Sequence, residues 1–236
     1  MNWQVMQVVR FERTANELSQ EAIASLAREK SKANGTCNTE EVNAALQDIF
    51  YGKCYLCESN NLQSCQIEHL QPHHEDPDLK FSWENLFLSC THCNNLKGDR
   101  YWPILDCTKE DVDEHIAFRK EGYFGIPEKL KFEPCDSLDE TQNTCALLND
   151  VYYGTTTQKQ IEANFIRKKL RDELSGFKNL VRDYTQAKGR QKEELFHTIK
   201  HELMNSSPFA AFKRWLIRDH ADMYGDFLDC WKPPIA

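Results

Sequence analysis

A chain of 236 residues with 40% hydrophobic and 28% charged residues can bury a sizeable core and has the make-up of an ordinary globular protein. Its formal net charge of −8 argues against a protein that grips polyanions with its whole surface. No apolar run approaches the ~20 residues of a membrane span, and the opening MNWQVMQVVRFER lacks the charged-then-apolar pattern of an export leader, so no membrane partner and a cytoplasmic location are expected.

In chain order, Ala15, Leu18, Ala22, Ile23 and Leu26 fall at helical intervals and predict a helix over 12–31. NGTCNTEE then makes a turn, and Thr39 with the acids after it looks like a helix start, with Val42, Leu46, Ile49 and Phe50 along one face. Residues 54–100 carry few helix signals before Cys93: SCQIEHL reads as a short strand, ENLFLSC as a second, and CNNLKGDR as the start of a short helix. Residues 101–157 read as loop-rich and acidic, punctuated by Pro103, Pro127 and Pro134, with DVDEHIAFRKEG a short helix or a strand pair. From 158 the chain turns helical, Ile161, Phe165, Leu170, Leu174, Phe177, Val181 and Tyr184 marking a stripe, with further helices in KEELFHTIKHELM and PFAAFKRWLIRDH. The expected organisation is a helical segment at 1–50, a compact core at 51–105, an acidic linker region at 106–157 and a helical region at 158–236.

Charge is uneven along this order. Residues 101–157 carry 12 acids against 5 lysines and arginines, and residues 158–218 carry 14 lysines and arginines against 7 acids. A basic segment in an acidic chain can still meet phosphate, because the local field governs encounter. The same imbalance also suits pairing of the two segments with each other or with a partner protein.

Four of the ten cysteines form two C-x-x-C pairs, CYLC at Cys54 and Cys57 and CTHC at Cys90 and Cys93. Two such turns brought together supply the four sulfurs of a tetrahedral zinc site, and a closed four-sulfur shell makes the ion structural. His92, inside the second pair, is the one other side chain placed to replace a sulfur. The remaining cysteines (Cys37, Cys65, Cys107, Cys135, Cys145 and Cys230) lack ligand spacing and are expected as small buried residues, since cytosolic thiols stay reduced.

The clamp fixes the distance between the segment bearing Glu68 and His69 and the segment bearing Asn94. The order of motifs, C-x-x-C, IEHL, ENLFLSC, C-x-x-C and NNLKG, resembles the HNH nuclease family over about residues 51–100. The resemblance implies an α+β fold, a small zinc-stabilised ββα-metal (HNH) core embedded in a mostly helical chain. It also implies roles. His69 is the base that takes a proton from water. Glu68 and Asn94 are oxygen ligands for a catalytic Mg²⁺ or Mn²⁺ beside the structural Zn²⁺. Asn85 orients the His69 ring by a hydrogen bond. The chemistry agrees, since a hard divalent ion prefers oxygen donors and an imidazole titrates near neutrality. Two positions depart from the commoner family pattern, Asn94 where many members have His and Glu68 where Asp is usual. Asn85 as a turn cap and Asn94 as a helix cap stay open as plainer roles. Lys97 and Arg100, on the helix after the site, are candidate nucleic-acid phosphate contacts, with helix-surface solvation as the plain alternative. The roles of His73 and His74 stay open.

A longer stretch, including KCYLCE, IEHLQP, WENLFLSCTHCN, LLNDVYYGTT and SSPFAAFKRW, is similar to the HNH component of Septu-type bacterial anti-phage systems. That likeness implies a nucleic-acid substrate, DNA first, an ATPase partner subunit, and activity released on infection. The competing function is a non-catalytic zinc-binding adaptor for protein or nucleic acid, in which the cysteines matter and Glu68 and His69 do not.

Overall fold

The computed structural model describes residues 10–122 and 127–230. Most of the opening stretch read for an export leader lies outside the described residues, as do the last six positions. Among the described residues, two two-stranded antiparallel sheets are set among ten α-helices, an α+β fold dominated by helix.

Helix α1 (Glu17–Lys30) starts at Asn16, whose side chain accepts from the Ser19 N–H while the Ser19 hydroxyl caps back onto the Asn16 N–H. That reciprocal arrangement satisfies two of the N–H groups a helix start leaves free. Helix α2 (Glu40–Ile49) is capped by Thr39. The two helices pack through Ala22, Leu26, Val42 and Leu46 onto Phe50, under the segment that follows.

That segment runs in the expected order of strand, loop, strand and helix. After the Cys54–Cys57 turn come β1 (Cys65–His69), a loop containing the one-turn helix α3 (Pro77–Lys80), a 3₁₀ turn at Trp83–Asn85, β2 (Leu86–Cys90) and α4 (Thr91–Lys97). Strands β1 and β2 are antiparallel, with Cys65 opposite Cys90 and His69 opposite Leu86. Leu86, Phe87, Leu88 and Ser89 are all buried, whereas in β1 only Glu68 is. Strand β2 is thus the inner strand, and Glu68 is the single β1 side chain turned fully inward.

The acidic stretch departs from its loop-rich expectation. It carries α5 (Val112–His115), a hairpin of β3 (Ile116–Glu121) and β4 (Lys129–Pro134), and α6 (Asp139–Tyr153). The reason is an apolar pattern the charges obscured. Phe118 and Phe132 join Tyr152 of α6 and Phe212 in a cluster of rings with centroids between 5.1 and 5.8 Å apart. The acids of the hairpin face outward and pair with bases, as Glu133 does with Arg119 and Glu128 with Arg171.

The helical region comprises α7 (Thr157–Gln186), α8 (Gly189–Glu202), α9 (Ala210–Asp219) and the single turn α10 (Ala221–Tyr224). The α7 stripe buries Ile166, Leu170, Leu174, Phe177, Val181 and Tyr184. Ile161 and Phe165, expected on that stripe, are instead 55% and 66% exposed, because the inward face at this end of the helix runs through Ala163 and Ile166. No helix of the described residues is long and apolar enough to cross a membrane.

Buried polar contacts join the first cysteine turn to the C-terminal half. Lys53 is fully buried and donates to the carbonyls of Asn205 and Ser207, each at 2.6 Å. The Glu58 carboxylate accepts from the Ala211 N–H at 3.0 Å, supplying the cap that Phe209, with left-handed backbone, does not. Asp113 receives both Nε and Nη2 of Arg214, at 2.9 and 2.8 Å, in a buried pair. A charge buried this way costs several kcal/mol if its partner is removed, on the order of 3–5, so these contacts hold the two parts in one arrangement. Of the six cysteines expected buried, Cys107, Cys145 and Cys230 are; Cys37 and Cys65 are half-buried at the core edge, and Cys135 is exposed just after the end of β4.

Candidate functional site

The four cysteines of the two C-x-x-C turns come together, with their sulfurs all within 4.8 Å of one another. Cys57 Sγ and Cys90 Sγ are 4.0 Å apart. Four thiolates around zinc at ~2.3 Å stand about 3.8 Å from each other, so the set fits a tetrahedral zinc ion. The local fold explains the convergence. The Cys54 N–H donates to the Ser59 carbonyl and the Glu58 N–H to the Cys54 carbonyl, closing the first turn. The Tyr55 N–H donates to the Leu88 carbonyl, which ties that turn to β2 and so to Cys90. His92 is not a fourth or fifth ligand. Its Nδ1 lies 2.7 Å from the Glu162 carboxylate of α7 and its Nε2 donates to the Val151 carbonyl of α6 at 2.8 Å. It bolts the second cysteine turn to the helical half.

Glu68 and His69 sit at the end of β1, where successive side chains leave the strand on opposite sides. The Glu68 carboxylate turns toward α4 and is 7% exposed. Burial raises its pKa, the Lys97 ammonium opposes that shift, and the nearby Asp99 charge adds to it. The His69 ring turns toward the loop, where its Nε2 is 2.9 Å from the Lys80 carbonyl oxygen. A carbonyl only accepts, so Nε2 carries the proton and Nδ1 keeps a free lone pair. Burial lowers the pKa of this ring, only partly offset by the bond to Lys80, and the charges of Lys97 and Lys80 push the same way as burial. The neutral, proton-accepting form is therefore favoured below the ordinary histidine value. The His73 ring stands edge-on to His69, centroids 4.6 Å apart, with its own Nδ1 accepting from the Glu75 N–H. His74 is exposed, 3.7 Å from the Asp99 carboxylate.

Asn85 does not bond the His69 ring, contrary to expectation. Its Oδ1 accepts from the Gln71 N–H at 2.8 Å, and its Nδ2 donates to the carbonyls of Gln71 at 2.9 Å and Leu79 at 3.1 Å. Both ends of the amide are spent on the loop that carries Lys80. Asn85 thus fixes the loop, and the loop's carbonyl fixes the ring.

Asn94 is half-buried in α4, one turn before Lys97 and on the same helix face. Lys97, a candidate phosphate contact with surface solvation as the alternative, is instead 1% exposed. Its ammonium donates to Glu68 Oε1 at 2.8 Å, to the His69 carbonyl at 2.7 Å and, more distantly, to the Gly98 carbonyl at 3.5 Å. With every N–H occupied it presents nothing to phosphate. Arg100 lies beyond the end of α4, exposed, donating to the Asp150 carboxylate at 2.5 Å and to the Tyr101 hydroxyl. Sequence reasoning missed the Lys80 carbonyl, which no side-chain pattern marks, and the burial of Lys97, whose only signal was its place three residues after Asn94.

Chemically, the arrangement offers a neutral imidazole with a free lone pair, a neighbouring carboxylate held by α4, and an amide on that same helix face. The HNH endonuclease family matches residues 54–100. The chain is also 28% identical over 127 residues to Septu protein PtuB of Bacillus mycoides (strain KBAB4), a match covering 39% of this chain and 43% of that protein, less than half of either. No solved structure matches the chain significantly.

Proposed function

Residues 54–100 carry an HNH-family endonuclease domain, and from that premise we propose that the protein hydrolyses phosphodiester bonds of nucleic acid, with DNA as the first substrate to try. The observation that carries this reading is the His69 ring, its Nε2 held by the Lys80 carbonyl at 2.9 Å and its other nitrogen left to accept a proton.

In the proposed reaction His69 Nδ1 takes a proton from a water molecule as its oxygen attacks phosphorus. The P–O bond to the leaving oxygen breaks, and that oxygen departs with a proton from solvent. Glu68 and Asn94 are the residues that would hold Mg²⁺ or Mn²⁺, both hard ions that favour oxygen donors. Such an ion, when bound, disperses charge on the phosphoryl group and the leaving oxygen. Asn85 keeps the loop closed so that the ring does not turn, and Arg100 is the exposed cation proposed to meet a phosphate. The zinc site takes no part in the chemistry and keeps β1 and α4 in register.

The test is plasmid cleavage by the purified full chain with Mg²⁺ or Mn²⁺, parent against His69→Ala. Loss of about 10²–10⁴-fold on removing a general base is expected. Equal cutting by both proteins rejects the assignment and returns the chain to a zinc-binding adaptor.

The similarity to a Septu protein supports a further reading as the effector subunit of an anti-phage complex, with an ATPase as its partner. The acidic whole-chain charge fits an enzyme that binds DNA weakly alone, and the helical half, with Ile161 and Phe165 exposed, suits a docking role. Co-purification with its neighbours' products tests the partner. A nanomolar affinity for DNA at physiological salt without one contradicts the dependence.

A further inference from the structure

Lys97 lies outside the catalytic scheme above, yet it is among the most deeply buried side chains of the domain and its ammonium contacts the residue proposed to hold the metal. Three acceptors surround it: Glu68 Oε1, the His69 carbonyl and the Gly98 carbonyl. The first two belong to the end of β1 and the third to the end of its own helix. The ammonium therefore fixes where β1 stops relative to α4, and it fixes which way the Glu68 carboxylate faces.

The consequence lies in how many oxygens Glu68 has left. Oε1 is spent on a charge-assisted bond at 2.8 Å in a site where both side chains are almost wholly buried. A carboxylate held like this has one oxygen, Oε2, to offer another cation. Divalent ions differ in what they ask of a carboxylate. Calcium takes six to eight oxygens, often both oxygens of one carboxylate. Magnesium and manganese accept six in an octahedron, and magnesium commonly keeps several waters beside one or two carboxylate oxygens.

We infer that Lys97 is a positioning residue that restricts Glu68 to single-oxygen ligation and so sets the site's preference for small octahedral ions over calcium. The inference rests on the reading of Glu68 as a metal ligand. It assigns Lys97 no contact with substrate.

The experiment uses the full chain with its zinc in place and reads metal binding, without substrate. Mn²⁺ is titrated by electron paramagnetic resonance, and the fraction lost in Glu68→Gln defines the site. Mg²⁺ and Ca²⁺ are then competed against it. In the parent, Mg²⁺ displaces this Mn²⁺ and Ca²⁺ does so more weakly. In Lys97→Met, which keeps an unbranched side chain one heavy atom shorter and frees Oε1, Ca²⁺ gains on Mn²⁺ by about tenfold or more, within the range seen when a ligand's hydrogen-bond partner is removed. Lys97→Arg, which keeps a cation against Glu68, stays near the parent ratio. A purely structural lysine would lower both affinities together and leave the ratio unchanged, and that outcome overturns the inference. Zinc content and circular dichroism report whether each variant is folded. If Lys97→Met does not fold, the parent still decides, because Ca²⁺ competing as well as Mg²⁺ overturns the inference without any variant. An absence of Glu68-dependent Mn²⁺ binding removes the metal site itself and this inference with it, whereas intact binding with an unchanged ratio removes this inference alone.

Discussion

The His69 ring is oriented by the main chain of Lys80, at 2.9 Å from Nε2 to the carbonyl oxygen. The side chain closest to a supporting role, Asn85, acts one step back, by three hydrogen bonds to Gln71 and Leu79. Substituting Asn85 should therefore cost both stability and rate. Asn85→Ala takes the side-chain partner from the half-buried Gln71 N–H and carbonyl, and one of its donors from the Leu79 carbonyl, a loss of about 1–3 kcal/mol, and lets the loop drift. A misplacement on the order of 1 Å at a catalytic group costs about 10²-fold in rate. Asn85→Asp should fare no better, since a carboxylate cannot donate to the two carbonyls. Thermal melts and initial cleavage rates measured on the same preparations check this. A variant that melts early but cuts at the parent rate would separate the loop from the ring.

Removing zinc should unfold the domain and leave one diagnostic intact. The four sulfurs stand together, with Cys54, Cys57 and Cys93 buried. Cys54→Ser, or a strong chelator, should abolish stoichiometric zinc and expose residues 51–100 to protease, because ligation and folding are one equilibrium in such sites. Glu68→Ala should keep its full zinc while losing cleavage. Loss of zinc from Glu68→Ala would mean that the two proposed metal sites are not independent.

Stability should fall as pH rises through the titration of His115, at the end of α5. Its Nδ1 is 2.6 Å from Asp136 and its Nε2 is 3.6 Å from Glu110. Burial disfavours the charged ring, but the two carboxylates outweigh it and hold the pKa above the ordinary value of 6.5. A group whose folded pKa is raised stabilises fully below its unfolded pKa and loses that contribution as pH climbs through the folded one. Urea midpoints taken on either side of that window, from roughly pH 5.5 to pH 8.5, should show the parent losing stability relative to His115→Gln. Parallel curves for the two proteins would remove His115 from the account.

What was legible in the sequence follows from what each residue needs to act. Zinc ligation depends on local spacing, and Cys54, Cys57, Cys90 and Cys93 announce it in the chain and meet in space. The strand, loop, strand and helix order was legible for the same reason. Asn85 was legible as a residue of consequence but not in its partner, because that partner is decided by which backbone carbonyl the 70–80 loop folds over the ring. Lys97 was misplaced because a lysine after a helix turn is ordinarily solvated, and only the inward turn of Glu68 supplies the anion that buries it. The β3–β4 hairpin was only half legible, as one of two readings of DVDEHIAFRKEG, since the charged residues between Phe118 and Phe132 mask the apolar pattern that pairs the two rings. Ile161 and Phe165 obeyed helical spacing, yet a stripe on a 30-residue helix need not stay covered along its length.

The His92 side chain offers the sharpest separation between ligand and strut. Between the cysteines of the second turn it is 8% exposed and spends both nitrogens away from the sulfurs, on Glu162 and on the Val151 carbonyl. His92→Ala should therefore retain stoichiometric zinc, as no ligand is lost. It should cost about 1–3 kcal/mol, because the Glu162 carboxylate and the Val151 carbonyl lose a buried donor. The loss should be local. Hydrogen exchange should speed up at the start of α7 and the end of α6, where those two acceptors lie, and change little in α8 and α9. Loss of zinc from His92→Ala would instead make His92 part of the coordination sphere. Uniform acceleration of exchange across all helices would mean that this contact is needed for the whole fold rather than for the seam between the zinc clamp and the helical half.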